Sequence, residues 1–324
     1  MIISASRRTD IPALYSQWFM NRIRAGWCAV PSPRNSGQVW HVPLAAEDVD
    51  CIVFWSKNPA PMISHLDELD GRGFHYYFQY SLNDYPCELE PGIPALDQRV
   101  GTFLDLARHL GPLRVIWRYD PVIISSKTPA DFHRERFARI AGELRGATRR
   151  VMVSVVDFYR KTDRRLSQLE QKEFVFDRQA ESSADMGELL RHLAAIARAH
   201  DMEIFTCAER LDLNETGIFP GRCIDERIVN RRWGLNLPCA KDPAQRELCL
   251  CTVSKDIGVN NTCIHGCPYC YATGNQALAR RRHQEHDPGS PCIWGNPELP
   301  RAMQSQQQRY SPRSSQPVAK QHGR

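Results

Sequence analysis

The chain has 324 residues, 42% of them hydrophobic and 24% charged, with a mean hydropathy of −0.47, a globular composition that excludes a wholly disordered polymer. No run approaches the roughly 20 apolar residues of a membrane-spanning helix, and the opening MIISASRRTD reads as a strand rather than a secretory leader, so a cytoplasmic protein with no membrane partner is expected. The formal charge of +5 belongs to the segment 301–324, whose Arg301, Arg309, Arg313, Lys320 and Arg324 face no acid; residues 1–300 carry 37 charges of each sign, so nucleic acid is not an expected partner of the folded body.

The first two hundred residues alternate β-rich runs with helical patterns. Strands are predicted over Met1–Ser6, Asp50–Trp55, His75–Leu82, Arg114–Ile124, Arg150–Asp157 and Met202–Glu209. Between them fall helical stretches at Tyr15–Gly26, Ala60–Leu69, Leu96–Leu110, Phe132–Leu144 and Ala184–His200. Short strands separated by helices imply parallel βα units with right-handed crossovers. The Pro- and Gly-containing stretch from Ala29 to Val42 reads as an inserted hairpin. Further helices are expected over Asp225–Trp233 and Gln276–Gln284, and the polar, low-complexity segment 301–324 reads as a disordered basic tail.

The strand ends indicate architecture. Arg7, Arg8 and Asp10 follow the first predicted strand; Ser56, Lys57 and Asn58 the second; Gln79 and Ser81 close the third. Arg118 and Asp120, then Ser154 and Asp157, then Cys207 and Glu209 close the others. One polar strand end is ordinary solvation, but six in succession match the mouth of a βα barrel, where each strand contributes a residue or two to the ligand site. The expected fold is a partial (β/α)6 barrel of TIM-like type over residues 1–210, with a Cys-rich region at 211–295 packed on it. A doubly wound open sheet is the second possibility. Arg7 and Arg8 are candidates to grip a carboxylate or phosphate, or simply to pair with Asp10. Trp55, Trp117 and Tyr119 read as core or as lining of the mouth.

Twelve cysteines are many for a chain expected to be cytoplasmic, and eight of them (Cys207, Cys223, Cys239, Cys249, Cys251, Cys263, Cys267 and Cys270) fall within 64 residues. Clustered thiols in that setting read as metal or redox chemistry rather than a disulfide framework. The sharpest signal is TCIHGCPYCYA at Thr262–Ala272, which spaces Cys263, Cys267 and Cys270 as C-x3-C-x2-C with Tyr269 before the third thiol. Gly266 allows close backbone approach and Pro268 stiffens the turn. Three thiolates on a tight loop suit an iron–sulfur cluster with one iron left open. A structural zinc site completed by His265, Cys249 or Cys251 is an alternative, and buried inert cysteines a third. The histidines otherwise lack HExxH or HxH spacing, which argues against a mononuclear zinc hydrolase.

CIHGCPYC resembles the C-x3-C-x-aromatic-C signature of the radical S-adenosylmethionine superfamily, and TCIHGCPYCYA is similar to the form found in spore photoproduct lyases. MIISASRRTDIPA, VFWSKNPAPM, VIWRYDPVII and TCAE, with the C-terminal cysteine cluster, resemble the bacterial domain of unknown function 1848 family over roughly residues 1–295. The superfamily resemblance implies a partial (β/α)6 barrel and a [4Fe-4S] cluster on Cys263, Cys267 and Cys270. It also implies S-adenosylmethionine cleaved to a 5′-deoxyadenosyl radical that abstracts hydrogen from a substrate of unknown size, and an electron donor such as flavodoxin or ferredoxin. In that superfamily the cysteine loop usually follows the first strand, whereas here it follows all six. No glycine-rich GGE-like segment is present, so Lys57, Asn58, Asp120 or Glu209 is expected to hold the cofactor instead.

Of the remaining clustered cysteines, Cys239, Cys249 and Cys251 are favoured for a second iron–sulfur or zinc site, with Cys207 or Cys223 as its fourth ligand. Two other functions remain open on sequence alone: a non-catalytic metal-stabilised binding module, and a nucleic-acid repair lyase.

Overall fold

Every predicted β-rich run becomes a strand of one sheet. The structure, a computed structural model, describes residues 1–295 apart from 33–37, 172, 212 and 214–215. In chain order, β1 (Ile2–Ala5) leads into α1 (Ile11–Leu14) and α2 (Ser16–Ala25), then the antiparallel pair β2 (Trp27–Pro31) and β3 (Val39–Pro43). Next come β4 (Cys51–Ser56), α3 (Ala60–Ile63), α4 (Leu66–Gly71), β5 (Tyr76–Ser81), α5 (Leu96–Leu110) and β6 (Val115–Val122). They are followed by α6 (Ala130–Glu143), β7 (Arg150–Val155), α7 (Arg160–Glu170), α8 (Ala184–Ala199) and β8 (Glu203–Thr206). The Cys-rich end adds β9 (Phe219–Pro220), α9 (Glu226–Trp233), β10 (Lys255–Asp256) and α10 (Gln276–Gln284).

The result is an α/β protein with a mostly parallel eight-stranded sheet in the order β10-β1-β4-β5-β6-β7-β8-β9. From β1 to β8 spatial order follows chain order, without the reversal that characterises a doubly wound sheet. Among the described residues no pairing joins β9 to β10, so the sheet has open edges. The inserted hairpin is present as β2 and β3, with its tip at 33–37 outside the described residues, as is the whole of the basic segment 301–324.

Four elements were not legible in the sequence: α1, only four residues long, β9, β10 and α7. The strands β9 and β10 have two residues each, too few for any periodicity to register. Helix α7 buries only Thr162 and Leu166, so its apolar stripe is too thin to stand out.

Alternation along the strands separates two faces. One carries Ile3, Ile52, Phe54, Phe78, Trp117 and Val151 into a large core shared with Trp18 and Phe19 of α2, Phe103 of α5, Phe137 of α6 and Leu193 of α8. Phe54 stacks on Phe78 at 4.8 Å and meets Phe19 edge-on at 5.2 Å. The opposite face carries Ile2, Cys51, Val53, Tyr77, Ile116 and Met152, and it is covered by the Cys-rich segment through Cys223, Ile224, Val229, Cys249 and Cys251. Trp117 and Tyr119 therefore belong to the helix-side core, while Trp55, one pleat out of phase, faces the other way.

Candidate functional site

The face turned from the helices grows polar toward the C-terminal ends of the strands, and there it opens into a cavity of about 750 Å³, within the size range of small-molecule sites. Arg7, Arg8 and Asp10 line it after β1, Trp55 and Lys57 at the end of β4, and Ser81 at the end of β5. Arg118 and Asp120 of β6, Ser154 of β7 and Cys207 after β8 continue the wall. Tight packing ends here because these inward positions are charged or small.

The loop holding Cys263, Cys267 and Cys270 lies over the same cavity, and specific anchors place it there. His265 Nε2 lies 2.9 Å from Asp10 Oδ2, and His265 Nδ1 lies 3.2 Å from the Gly92 carbonyl. The Gly92 N–H donates to the His265 carbonyl at 2.9 Å, and a Cβ on Gly92 would stand 2.6 Å from that oxygen. Gly266 has φ +81°, a left-handed conformation that favours glycine. Tyr15 donates its hydroxyl to the Thr262 carbonyl at 2.6 Å, and the Arg165 guanidinium of α7 donates to the carbonyls of Cys270 and Thr273. Cys267 and Tyr269 are buried with Tyr85, Leu89, Ile123 and Leu166.

A buried ionic group sits beside the loop. Lys57 Nζ is 2.8 Å from Glu90 Oε1, Tyr269 donates to the same oxygen at 2.5 Å, and Arg99 Nη1 lies 3.7 Å from Glu90 Oε2. Burial alone would raise the Glu90 carboxyl, but Lys57 and Arg99 outweigh it and hold the group below the usual carboxylate range. Asp10 behaves alike: burial opposes its charge, while hydrogen bonds from His265 and the Lys57 N–H hold it ionised.

Of the four residues proposed to hold the cofactor, Lys57 and Asp120 reach the cavity and Asn58 and Glu209 do not. Asp120 is paired with Arg118 through a 2.9 Å bond from Nε, and it accepts the Ser154 hydroxyl. Asn58 turns its N–H to Ser56 Oγ at 3.0 Å. Glu209 accepts the Val155 N–H at 3.0 Å, and burial raises its carboxyl to about 8. Of the two arginines after β1, Arg8 is committed to Asp256 through Nε at 3.0 Å, while Nη2 of Arg7 is buried with no hydrogen-bond partner.

That orphan has company. Thr9 Oγ1, Trp55 Nε1, Thr273 Oγ1 and Gln276 Oε1 are likewise buried without a partner, and all four residues line the cavity. Buried polar atoms are nearly always satisfied, so five such atoms on residues around one space set this wall apart, though each is itself covered from the cavity.

The other clustered cysteines divide differently from the sequence expectation. Cys223 lies 3.3 Å from Cys207, sulfur to sulfur, and Cys223, Cys249 and Cys251 share one buried cluster with Cys207 packed against it. Cys207, Cys223, Cys249 and Cys251 are thus brought together on the cavity wall, while Cys239 is exposed and accepts from Arg222 Nη1 at 3.1 Å. Spacing favoured Cys239 because it is near Cys249 in the chain; the fold instead turns it outward beyond α9. Cys223 is held in place by its carbonyl, which accepts from Tyr77 Oη at 2.8 Å and from Gln79 Nε2 at 2.7 Å. The hydrogen bond from Cys223 and the Arg118 guanidinium together lower the Cys207 thiol to about 7.

Among the described residues, no group of three or more His, Cys, Asp or Glu side chains is placed so that it could hold a metal ion. Burial pushes Cys267 up to about 12 and Cys263 upward as well, so these are thiols until a metal displaces their protons.

Fold and cavity together define an α/β protein with a thiol-bearing ligand cavity at the C-terminal ends of its parallel strands. The family model for Domain of unknown function (DUF1848) matches residues 2–272, and the chain belongs to that family. No curated protein matches the chain. No helix among the described residues is long and apolar enough to cross a membrane.

Proposed function

We propose that the protein is a radical S-adenosylmethionine-type enzyme on a partial (β/α)6 barrel, with a [4Fe-4S] cluster held by Cys263, Cys267 and Cys270. One observation carries this reading: three thiols on one anchored loop face the cavity that the strand ends line. The donor set fits the group, because three thiolates leave one iron with an open position toward the cavity. When bound, the cluster supplies that open iron and the electron that cleaves S-adenosylmethionine to methionine and a 5′-deoxyadenosyl radical.

The chain's own residues do the rest. Arg7, Thr9, Trp55, Thr273 and Gln276 give the cavity wall the polar character that an amino-acid or nucleoside ligand requires. Lys57 and Arg118 contribute charges already balanced by Glu90 and Asp120, which fix their positions more than they add net charge. The Asp10–His265 contact sets the loop's height above the strand ends. An external one-electron donor of the flavodoxin or ferredoxin kind would reduce the cluster.

The test is anaerobic purification followed by iron, sulfide and zinc analysis, then dithionite with S-adenosylmethionine. Iron and sulfide in near-equal amounts and release of 5′-deoxyadenosine are expected, and Cys267→Ala should abolish that release. Colourless protein that takes up zinc alone would overturn the proposal, leaving a metal-stabilised binding module.

A further inference from the structure

We infer that Cys207 and Cys223 are a redox pair, two thiols in the cavity wall that a low-molecular-weight disulfide entering the cavity converts into one intramolecular disulfide. Both residues line the cavity. Their sulfurs are in direct contact at 3.3 Å, with Cys223 donating to Cys207. Closing that contact to the roughly 2.05 Å of a disulfide takes about 1 Å of movement. Inert buried cysteines sit singly in apolar packing; two that touch from positions 16 residues apart, at the edge of an open space, are not explained that way.

The backbone holds the two thiols against each other. Strands β8 and β9 are parallel and pair Thr206 with Pro220, so the residues that follow them leave the sheet at the same end. The Cys207 N–H donates to the Val153 carbonyl at 2.9 Å, and the Gly221 N–H donates to the Thr206 carbonyl at 2.8 Å. A Cβ on Gly221 would stand 2.7 Å from the Phe205 Cβ, so glycine is what lets the second stretch approach the first this closely. The Cys223 carbonyl is then fixed by Tyr77 Oη and Gln79 Nε2.

The two thiols differ, and the difference assigns their roles. Cys207 is partly exposed and Cys223 is buried, so an entering disulfide meets Cys207 first. The Cys223 S–H and the Arg118 guanidinium hold the Cys207 thiol at about 7, which suits an attacking thiol near neutral pH. As a thiolate, Cys207 attacks one sulfur of the entering R–S–S–R; a Cys207–S–S–R bond forms, the old S–S bond breaks, and RS− leaves to take up the proton that Cys207 released. Cys223 then attacks the Cys207 sulfur, and its proton goes with the second departing RS−. Arg118 Nη1, 2.7 Å from Cys223 Sγ, favours the thiolate that this second attack needs. Two protein thiols are oxidised to one disulfide, and the small disulfide is reduced to two thiols.

The test equilibrates the full-length protein with glutathione at graded ratios of oxidised to reduced form, alkylates the free thiols and maps the disulfides by peptide mass spectrometry. Oxidation should cost Cys207 and Cys223 their alkylation together and yield a peptide pair linking them, two hydrogens lighter, which dithiothreitol reverses. Cys28 and Cys51, each fully buried, should stay alkylatable once the chain is unfolded. Cys223→Ser should stop at the mixed disulfide of Cys207 with glutathione, and Cys207→Ser should leave Cys223 reduced. Should either variant misfold by circular dichroism, the wild-type map decides. A folded wild-type chain that keeps both thiols free in oxidised glutathione alone, or that links Cys223 to Cys251 instead, overturns the inference. The outcome is independent of the radical chemistry, because the link is read by mass and Cys263, Cys267 and Cys270 take no part in it.

Discussion

His265 and Asp10 are separated by 255 residues of chain and lie 2.9 Å apart, Nε2 to Oδ2. Asp10 also caps α1 by accepting the Ala13 N–H at 3.0 Å, and it accepts the Lys57 N–H at 2.8 Å. One carboxylate thus joins the end of β1, the end of β4 and the cysteine loop. A loop that comes last in the chain reaches the strand ends through this contact.

Replacing that carboxylate by an amide tests it. Asp10→Asn keeps a competent cap for α1 but puts an NH2 where an acceptor is needed, either toward Ala13 or toward Lys57 and His265. A loss of about 1–3 kcal/mol is expected, with faster alkylation of Cys263 and Cys267 in metal-free protein. Unchanged alkylation rates would show that the loop is held without this contact.

A second test concerns the junction of β1 and β10. Asp256 accepts the hydroxyls of Ser4 and Ser6, each at 2.8 Å, and the Arg7 N–H at 2.7 Å. A Cβ on Gly258 would fall 1.9 Å from Ser6 Oγ. Gly258→Ala must therefore push the Ser6 hydroxyl off Asp256, and a loss of about 1–3 kcal/mol in urea unfolding is expected. Adding Ser6→Ala, which clears the oxygen, should recover part of it; no recovery would place the strain elsewhere.

The Lys57–Glu90 pair predicts a larger effect. Both side chains are buried, and Glu90 would keep only Arg99 at 3.7 Å and the Tyr269 hydroxyl if the lysine were lost. Lys57→Met should destabilise by about 3–5 kcal/mol, as removal of one partner from a buried pair does. The double variant Lys57→Met, Glu90→Gln should be more stable than the single; a double variant equally unstable would argue that the charge left behind is not the cause.

Acid sensitivity follows from His133. Its Nδ1 accepts the Tyr119 hydroxyl at 2.8 Å and its Nε2 faces the Ile123 carbonyl at 3.0 Å, so the Nε2–H tautomer satisfies both partners. Burial lowers its pKa from 6.5 to about 4. Above pH 6.5 both folded and unfolded states are neutral there and the stabilisation is complete. As pH falls toward 4 the unfolded state gains a proton that the folded state refuses, and about 3 kcal/mol is lost. His133→Gln should be less stable at neutral pH but lose less between pH 6.5 and 4; parallel urea-midpoint profiles would exclude His133 as the cause.

The strand succession was legible because each run must bury apolar residues on two faces, and DCIVFW and RVMVSVVD show that directly. The polar residues after each run marked the cavity for the same reason: packing ceases where side chains turn charged. The motif around Cys263 was legible because its three ligands are close in the chain. Asn58 and Glu209 lie two and three residues beyond the ends of β4 and β8 and do not line the cavity, because past a strand end the course of the loop, not the pleat, sets where a side chain points. Arg7, Thr9, Trp55, Thr273 and Gln276 gave no signal as a group, since an unpaired polar atom exists only once its neighbours are in place.

The amino-acid sequence by itself determined the parallel α/β class, the ends of its strands and the thiol loop, all of which depend on local periodicity and short spacing. Only the tertiary structure decided which thiols meet. Cys239 is ten residues from Cys249 and turns outward, whereas Cys207 is 44 residues from Cys251 and lines the same wall. Crossing the sheet face costs the chain little once Tyr77, Gln79 and Arg150 offer hydrogen bonds to Cys223 and Asp225, and those partners lie far away in sequence.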